Sequence, residues 1–304
     1  MNSQSYKKHS LAYRMIFPTV LTMLIVHIIP IAMGIYISFR NLDKYTLCNI
    51  SKTVFVGLRN YINLLGSLNS DFLSSLSTTF RFMILTVVIS YILGLACALI
   101  GNEKFRGQTI FRGVMLIPLV IPSVVSLTCL RFMLQQNGII NQILLDLHLI
   151  KEPIIWLVGR NTFFVILIGN VWIKWPLFFS VFLSGMQAIP EELFEAASID
   201  GANYFQKLKH ITLPSLKNVT FITTMLIAVW SFNDFNVPYI MLGCGYTAVP
   251  DAANLISLNI YRSAFFALNF SSAAAQSVLM SLISFTLILV YVKLITKPGG
   301  ETNA

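Results

Sequence analysis

Six stretches of this chain are long and almost free of charge, and each is long enough to cross a bilayer as a helix: residues 15–39, 82–101, 113–134, 162–184, 219–243 and 273–292. Hydrocarbon offers no partner to a backbone N–H or C=O, so such a stretch must satisfy its own polar groups, and a helix does so within one segment. The expectation is an all-α integral membrane protein with six transmembrane helices. Composition agrees. Charged residues are 11% of 304, whereas a soluble domain carries about a quarter. A chain this poor in charge cannot cover itself with a water-facing surface. A soluble enzyme or nucleic-acid-binding module is thereby excluded, and the expected surroundings are lipid.

Net charge is +9, from 21 Lys and Arg against 12 Asp and Glu. In a membrane protein such an excess gathers in cytoplasmic loops. Residues 1–14, 102–112, 185–218 and 293–304 fall on one side of six spans and hold eleven of the cations. The longer loops opposite hold eight. Both termini are therefore expected in the cytoplasm. The expected organisation is a tail at 1–14, one membrane domain at 15–292 with a long cytoplasmic loop at 185–218, and a tail at 293–304. The apolar run after Lys7, Lys8 and Arg14 is too long for a signal-peptide core of roughly 7–15 residues, and it reads as a retained span. Cys97 and Cys129 lie in apolar runs and read as small hydrophobes. Cys48 and Cys244 fall in expected external loops, where they are able to pair.

The long cytoplasmic loop carries most of the information. Pro190 suits the first turn of a helix, and Glu191, Glu192 and Glu195 then face the positive end of its dipole. Leu193, Ala196, Ala197 and the Asp200–Gly201 pair follow at helical spacing, and Gly201 stops the helix or turns the chain. A second helical stretch over 203–213 ends at Pro214, with Lys207, Lys209 and His210 near its negative end. This is a short helix–turn–helix between two spans. It fits mechanical coupling to a soluble partner, and it fits equally an amphipathic hairpin lying on lipid.

The same loop resembles the Glu-Ala-Ala motif of bacterial ABC-importer permeases. Glu195-Ala196-Ala197, Gly201, Ile211, Leu213 and Pro214 match it at every fixed position and spacing. The likeness extends over most of the chain. Phe17-Pro18, Pro30 and Ser38-Phe39 resemble the first span of sugar-importer permeases. Phe55-Val56-Gly57-Leu58-Arg59-Asn60-Tyr61 is similar to their external segment. Arg106-Gly107, Phe111-Arg112 and Pro118 resemble their second cytoplasmic loop and third span. Ile189-Pro190-Glu191-Glu192-Leu193 and Ile199-Asp200-Gly201-Ala202 have the carbohydrate form of the motif, similar to the first permease of the maltose and glycerol-3-phosphate importers.

The resemblance implies the type I importer fold in a prokaryotic cytoplasmic membrane and transport by alternating access. It also implies a cytoplasmic ATPase dimer, a sister permease forming a heterodimer, and an extracytoplasmic solute-binding protein. The 195–213 segment would be the helix that docks into the ATPase, with Asp200 among its contacts. The chain itself is expected to bind no cofactor or metal and to be no enzyme. No Gly is followed by Lys, so a phosphate-cradling Walker loop is missing, and ATP and Mg belong on the partner ATPase. One departure concerns the turn after the fifth span, which reads Gly243-Cys244-Gly245-Tyr246 where the group carries a run of Gly and Pro.

Two charges stand inside apolar runs, Lys174 in Asn170-Val-Trp-Ile-Lys-Trp-Pro176 and Asp234 in Trp230-Ser-Phe-Asn-Asp-Phe-Asn236. Each costs about 2.5–3.5 kcal/mol at mid-membrane, so each is expected to face a cavity or a partner. By resemblance these segments line the sugar site of the maltose permease. The matching positions are Asn170, Ile173, Lys174, Ser231 and Asp234. Trp172, Trp175 and Phe232 offer apolar faces for sugar stacking or for helix packing. Either Lys174 and Asp234 neutralise each other, or Lys174 meets an anionic substrate. Two further classes are weaker. An ion-coupled transporter would use the two charges as its relay, and a permease for a polyamine or phosphate would share the loop. A membrane enzyme is weaker still, because His9, His27, His148 and His210 are scattered.

Overall fold

A computed structural model describes residues 3–46, 53–66, 70–243 and 250–295. The chain divides into two compact units. One comprises Met1–Leu73 and Ile260–Leu282, the other Ser74–Asn259 and Ile283–Ala304. The described residues form helices and loops and no strand, with one isolated bridge between Arg40 and Phe55.

In the first unit, α1 (Ser3–Met23) passes through a wide π-helical turn at Leu24–Ile28 into α2 (Ile29–Ser38). Pro30 explains the wide turn. A proline ring has no N–H to give the preceding turn and collides with its carbonyl, and a locally wider helix relieves the clash without a break. The Phe55–Tyr61 segment, recognised above as a motif, clamps the end of α2. Asn60 Nδ2 donates to the carbonyls of Ser38 (2.8 Å) and Arg40 (2.9 Å). Tyr61 shares a 2.6 Å hydrogen bond with the Ser38 hydroxyl. These contacts satisfy carbonyls that a helix end leaves free. Gly57, at φ +57°, makes the turn into α3 (Arg59–Leu65).

The second unit is built around two long helices, α4 (Asp71–Asn102) and α8 (Thr162–Gln187). The second expected span, 82–101, lies inside α4, which starts eleven residues earlier. The helix begins early over 71–81, where Phe72, Leu73, Leu76 and Phe80 recur at helical spacing among polar residues. Asp71 sits in the first turn, Ser70 Oγ accepts from Leu73 N, and the Thr78 and Thr79 hydroxyls bond back to the carbonyls of Ser74 and Ser75.

The third expected span, 113–134, is two helices, α5 (Gln108–Val120) and α6 (Ser123–Met133), bent by 94°. Pro122 forces Ile121 into an extended conformation at ψ 131°, which stops α5. After α6 comes the short α7 (Ile139–Asp146), then α8. The 185–218 loop contains α9 (Glu191–Ile199), α10 (Tyr204–Lys207), a π turn at Leu208–Thr212 and α11 (Leu213–Ser215). Pro214 does not end this helical stretch. As before Pro30, a π turn precedes it and lets the helix run on to Ser215.

The fifth expected span, 219–243, is α12 (Lys217–Phe232), a break at 233–235, and α13 (Asn236–Met241). Then follow α14 (Ile256–Phe265) and α15 (Phe270–Ile295). Four stretches are long and apolar enough to cross a membrane: Tyr13–Ser38, Asp71–Asn102, Gly159–Gln187 and Phe270–Lys293. Two bent helix pairs bring the count to as many as six.

Two apolar clusters hold the second unit together, and α8 runs through both. One gathers Phe82, Leu127, Val165, Ile166, Met241 and Leu255, the other Ala98, Phe178, Phe179, Phe182, Leu216 and Ile227. Gly94 lets α4 and α8 touch backbone to backbone. A Cβ there would overlap the Phe178 side chain and stand 2.9 Å from the Phe179 nitrogen. Close helix approach over small residues is a main source of packing energy where lipid is as apolar as the side chains. Gly94→Ala should therefore destabilise the folded chain by about 1–3 kcal/mol, seen as a lower midpoint in thermal unfolding of the detergent-solubilised protein. An unchanged midpoint would mean the two helices are not in close contact.

Candidate functional site

Lys174 stands near the middle of α8, and Asp234 stands in the break between α12 and α13. Lys174 Nζ lies 3.6 Å from Asp234 Oδ2, and the two side chains are only 15% and 9% exposed. The break has a local cause. Pro238 has no N–H, so the Asp234 carbonyl four residues earlier loses its helical donor. That carbonyl accepts from the Ser257 hydroxyl instead, at 2.7 Å. The Asp234 carboxylate turns back to accept from Val237 N (3.0 Å) and caps the start of α13. One residue thus joins α8, the α12–α13 break and the start of α14.

Trp230, one turn before Asp234, places its ring 5.4 Å from Lys174 Nζ and is 47% exposed. The cation has an aromatic face on one side and a carboxylate on the other, an arrangement favourable wherever water is scarce.

A second polar node lies one helical turn away. Asn170 is fully buried, and its Nδ2 donates to Thr86 Oγ1 (3.1 Å) and Ser231 Oγ (3.3 Å). This ties α8 to α4 and α12. Asn170 Oδ1 is buried without a partner. Trp172 is 42% exposed and donates Nε1–H to Ser126 on α6 at 2.7 Å. Ile173 and Trp175 are half-buried against the apolar clusters. Phe232 is fully packed, with its ring 5.3 Å from that of Phe80.

The eight expected positions therefore separate. Lys174 and Asp234 meet, Asn170 and Ser231 meet, Trp172 lies open, and Ile173, Trp175 and Phe232 belong to the packing. Trp230, Thr86 and Ser126 join the site without having been singled out. Trp230 was detectable, since a residue four before Asp234 shares its helix face. Thr86 and Ser126 carry no such signal, because only the tertiary packing of α4 and α6 brings them in.

The other candidate element is the loop. Here α9 ends in a Schellman cap: Ala202 N donates to Ala197 O (2.9 Å) and Gly201 N to Ser198 O (3.1 Å), with Gly201 at φ +76°. Gly201 thus has a local structural reason, its positive φ, as well as a place in the motif. Asn203 caps the next helix in a reciprocal pair with Gln206, and Lys207 Nζ donates to Ser198 Oγ (2.6 Å), bracing the two helices. Glu195, Ala196, Asp200, Gly201 and Pro214 are exposed, while Ala197, Ile211 and Leu213 are half-buried. Ile199 and Phe205 are 87% and 76% exposed. Cys48 and Cys244, and the turn beyond Gly243, lie outside the described residues.

Several long apolar helices, a charge pair joining α8 to the α12–α13 break and a capped helical hairpin between two spans define a multi-pass membrane transport subunit. The chain belongs to the family of binding-protein-dependent transport system inner membrane components, whose pattern matches residues 90–297. It is 32% identical over 290 residues to the trehalose/maltose transport system permease protein MalF of Thermococcus litoralis, covering 95% of this chain and 94% of that one. It is 29% identical over 289 residues to the sn-glycerol-3-phosphate transport system permease protein UgpA of Agrobacterium fabrum, covering 94% and 95%. A chain from the crystal structure of a bacterial alginate ABC transporter, in complex with an alginate pentasaccharide-bound periplasmic protein, shares the fold. Its TM-score is 0.80 at 20% identity, over 97% of this chain and 98% of that one.

Breaking a buried pair is costlier than removing it, because the remaining charge loses its partner. Lys174→Met should lower the stability of the solubilised chain by about 3–5 kcal/mol, and Lys174→Met with Asp234→Asn should recover part of that loss. Equal midpoints for the single and double variants would show that the two charges do not interact.

Proposed function

We propose that this chain is a transmembrane permease subunit of an ATP-driven ABC importer in a prokaryotic cytoplasmic membrane, and that it passes a sugar or sugar derivative. The solute would arrive on an extracytoplasmic binding protein. A cytoplasmic ATPase dimer would hold ATP and Mg, and a sister permease would complete the pore. Both termini and the 185–218 loop would then lie in the cytoplasm. Family membership supports the class of machine, and the names of the relatives support the sugar.

The observation that carries the coupling role is the loop's outward face. Ile199 and Phe205 are large apolar side chains left in the open on either side of the capped turn, with Asp200 and Gly201 between them. With the exposed Leu193 and Tyr204 they give the hairpin an apolar patch among polar residues, which supports a protein-docking role. The short caps and the Lys207–Ser198 brace make the hairpin stiff enough to pass on a push.

Translocation follows from the same parts. Closure of the ATPase around ATP would move α9 and α10, and through them α8 and α12. The Lys174–Asp234–Trp230 face would open outward to receive the sugar and inward after hydrolysis. A paired charge with an exposed indole suits a sugar: hydroxyls bond to both ions, and the apolar face of the ring stacks on the indole.

The test is Gly201→Asp. A side chain at Gly201 meets no atom of this chain within 4 Å, so its local cost is the φ strain alone, about 1–2 kcal/mol. The variant should insert and assemble normally, yet abolish uptake of radiolabelled trehalose, maltose or glycerol 3-phosphate, whichever the wild type accumulates. Normal uptake would contradict the coupling role.

A further inference from the structure

The 185–218 loop is anchored in the second apolar cluster by Met186 and Leu216, while its α9–α10 part borders a cavity. A cavity of about 270 Å³ separates Phe194, Tyr204 and Leu208 of the hairpin from Leu99 and Glu103 at the end of α4. Side chains lining a void lose contacts on that side, so α9 packs loosely against α4 there. Polar contacts beside the cavity offer a second route for the load.

Arg112, in the second turn of α5, supplies one. Its Nε donates to the carbonyl of Gly101 at 2.9 Å, at the end of α4. Its Nη1 and Nη2 lie 3.1 and 3.2 Å from the side-chain oxygen of Gln187, with that amide turned to accept them. Gln187 is the last residue of α8, and α9 begins four residues on. The guanidinium is planar and forked, so it fixes the direction of all three bonds at once. Gln108 Nε2 reinforces the same helix end, donating to the carbonyls of Gly101 (3.1 Å) and Glu103 (2.8 Å). A cation at a helix C-terminus also meets the negative end of its dipole. A further link, Lys104 to Glu191 at 3.4 Å, is an exposed pair with side chains 89% and 78% accessible. Such pairs hold weakly.

We infer that Arg112 is a positioning residue for coupling: it locks the end of α4 and the start of α5 to the point where α8 hands over to α9, so that motion of the hairpin moves all three helices together. This rests on the importer reading above. It assigns Arg112 no contact with ATP, with the ATPase or with the sugar.

The experiment compares wild type, Arg112→Lys, Arg112→Met, Gln187→Ala and the Arg112→Met/Gln187→Ala double variant in the complete transporter complex, purified from its native membrane and returned to liposomes. Two quantities are read: ATP hydrolysis, and ATP-dependent uptake of radiolabelled trehalose, maltose or glycerol 3-phosphate, whichever the wild type transports. Arg112→Met should lower the sugar carried per ATP by about tenfold with the complex intact and still hydrolysing ATP. Arg112→Lys, which keeps the charge but loses the fork, should fall between. Gln187→Ala should weaken coupling in the same direction, and the double variant should lose no more than Arg112→Met alone, as residues acting through one bond do.

Should Arg112→Met fail to assemble, Gln187→Ala at its exposed position decides: unchanged sugar per ATP there overturns the inference. So does wild-type coupling in Arg112→Met, or losses that add in the double variant. A wild-type complex with no ATP-dependent uptake would instead overturn the importer reading itself.

Discussion

The contact between Lys174 and Asp234 governs how the second unit is put together. Neither charge is tolerable alone in an apolar helix bundle, and each is made tolerable by the other at 3.6 Å. The consequence reaches beyond the pair. Asp234 must reach Lys174 on α8, so the chain after α12 leaves the helix there, and Pro238 removes the N–H that would have held it in. The freed carbonyl is taken by Ser257 and the start of α13 by the Asp234 carboxylate. Four segments are registered by one carboxylate residue. Asn170, one turn along α8, repeats the device with neutral groups, holding Thr86 on α4 and Ser231 on α12.

Prolines do the complementary work of shaping helices without losing them. Pro122 bends α5 against α6 by 94°. Pro30 and Pro214 are each preceded by a π turn and are absorbed. The difference lies in the backbone before the ring: an extended residue turns the chain, whereas a widened turn lets it continue. The bundle is thereby jointed at Pro122 while the helices at Pro30 and Pro214 run on.

Much of this was legible in the residues. The apolar runs located α2, α8 and α15, and the Glu-Ala-Ala spacing located α9 and its glycine. Lys174 and Asp234 announced themselves as charges in apolar surroundings. What the residues withheld was tertiary. The size of the bend at Pro122 and the break at 233–235 depend on neighbouring chain. Phe232 offered a face for stacking or for packing, and its contact with Phe80 puts it in the packing. Trp230 holds the open position by the lysine, on the helix face that its four-residue spacing from Asp234 indicates.

The account's central claim is that this chain works as one part of an ATP-driven assembly rather than alone. The most direct measurement is gentle solubilisation from the native membrane, with identification by mass spectrometry of every protein that remains bound. The account predicts an ABC ATPase and a second permease in stable association with this chain. A chain that purifies by itself, and still moves solute across sealed vesicles without ATP, would contradict it.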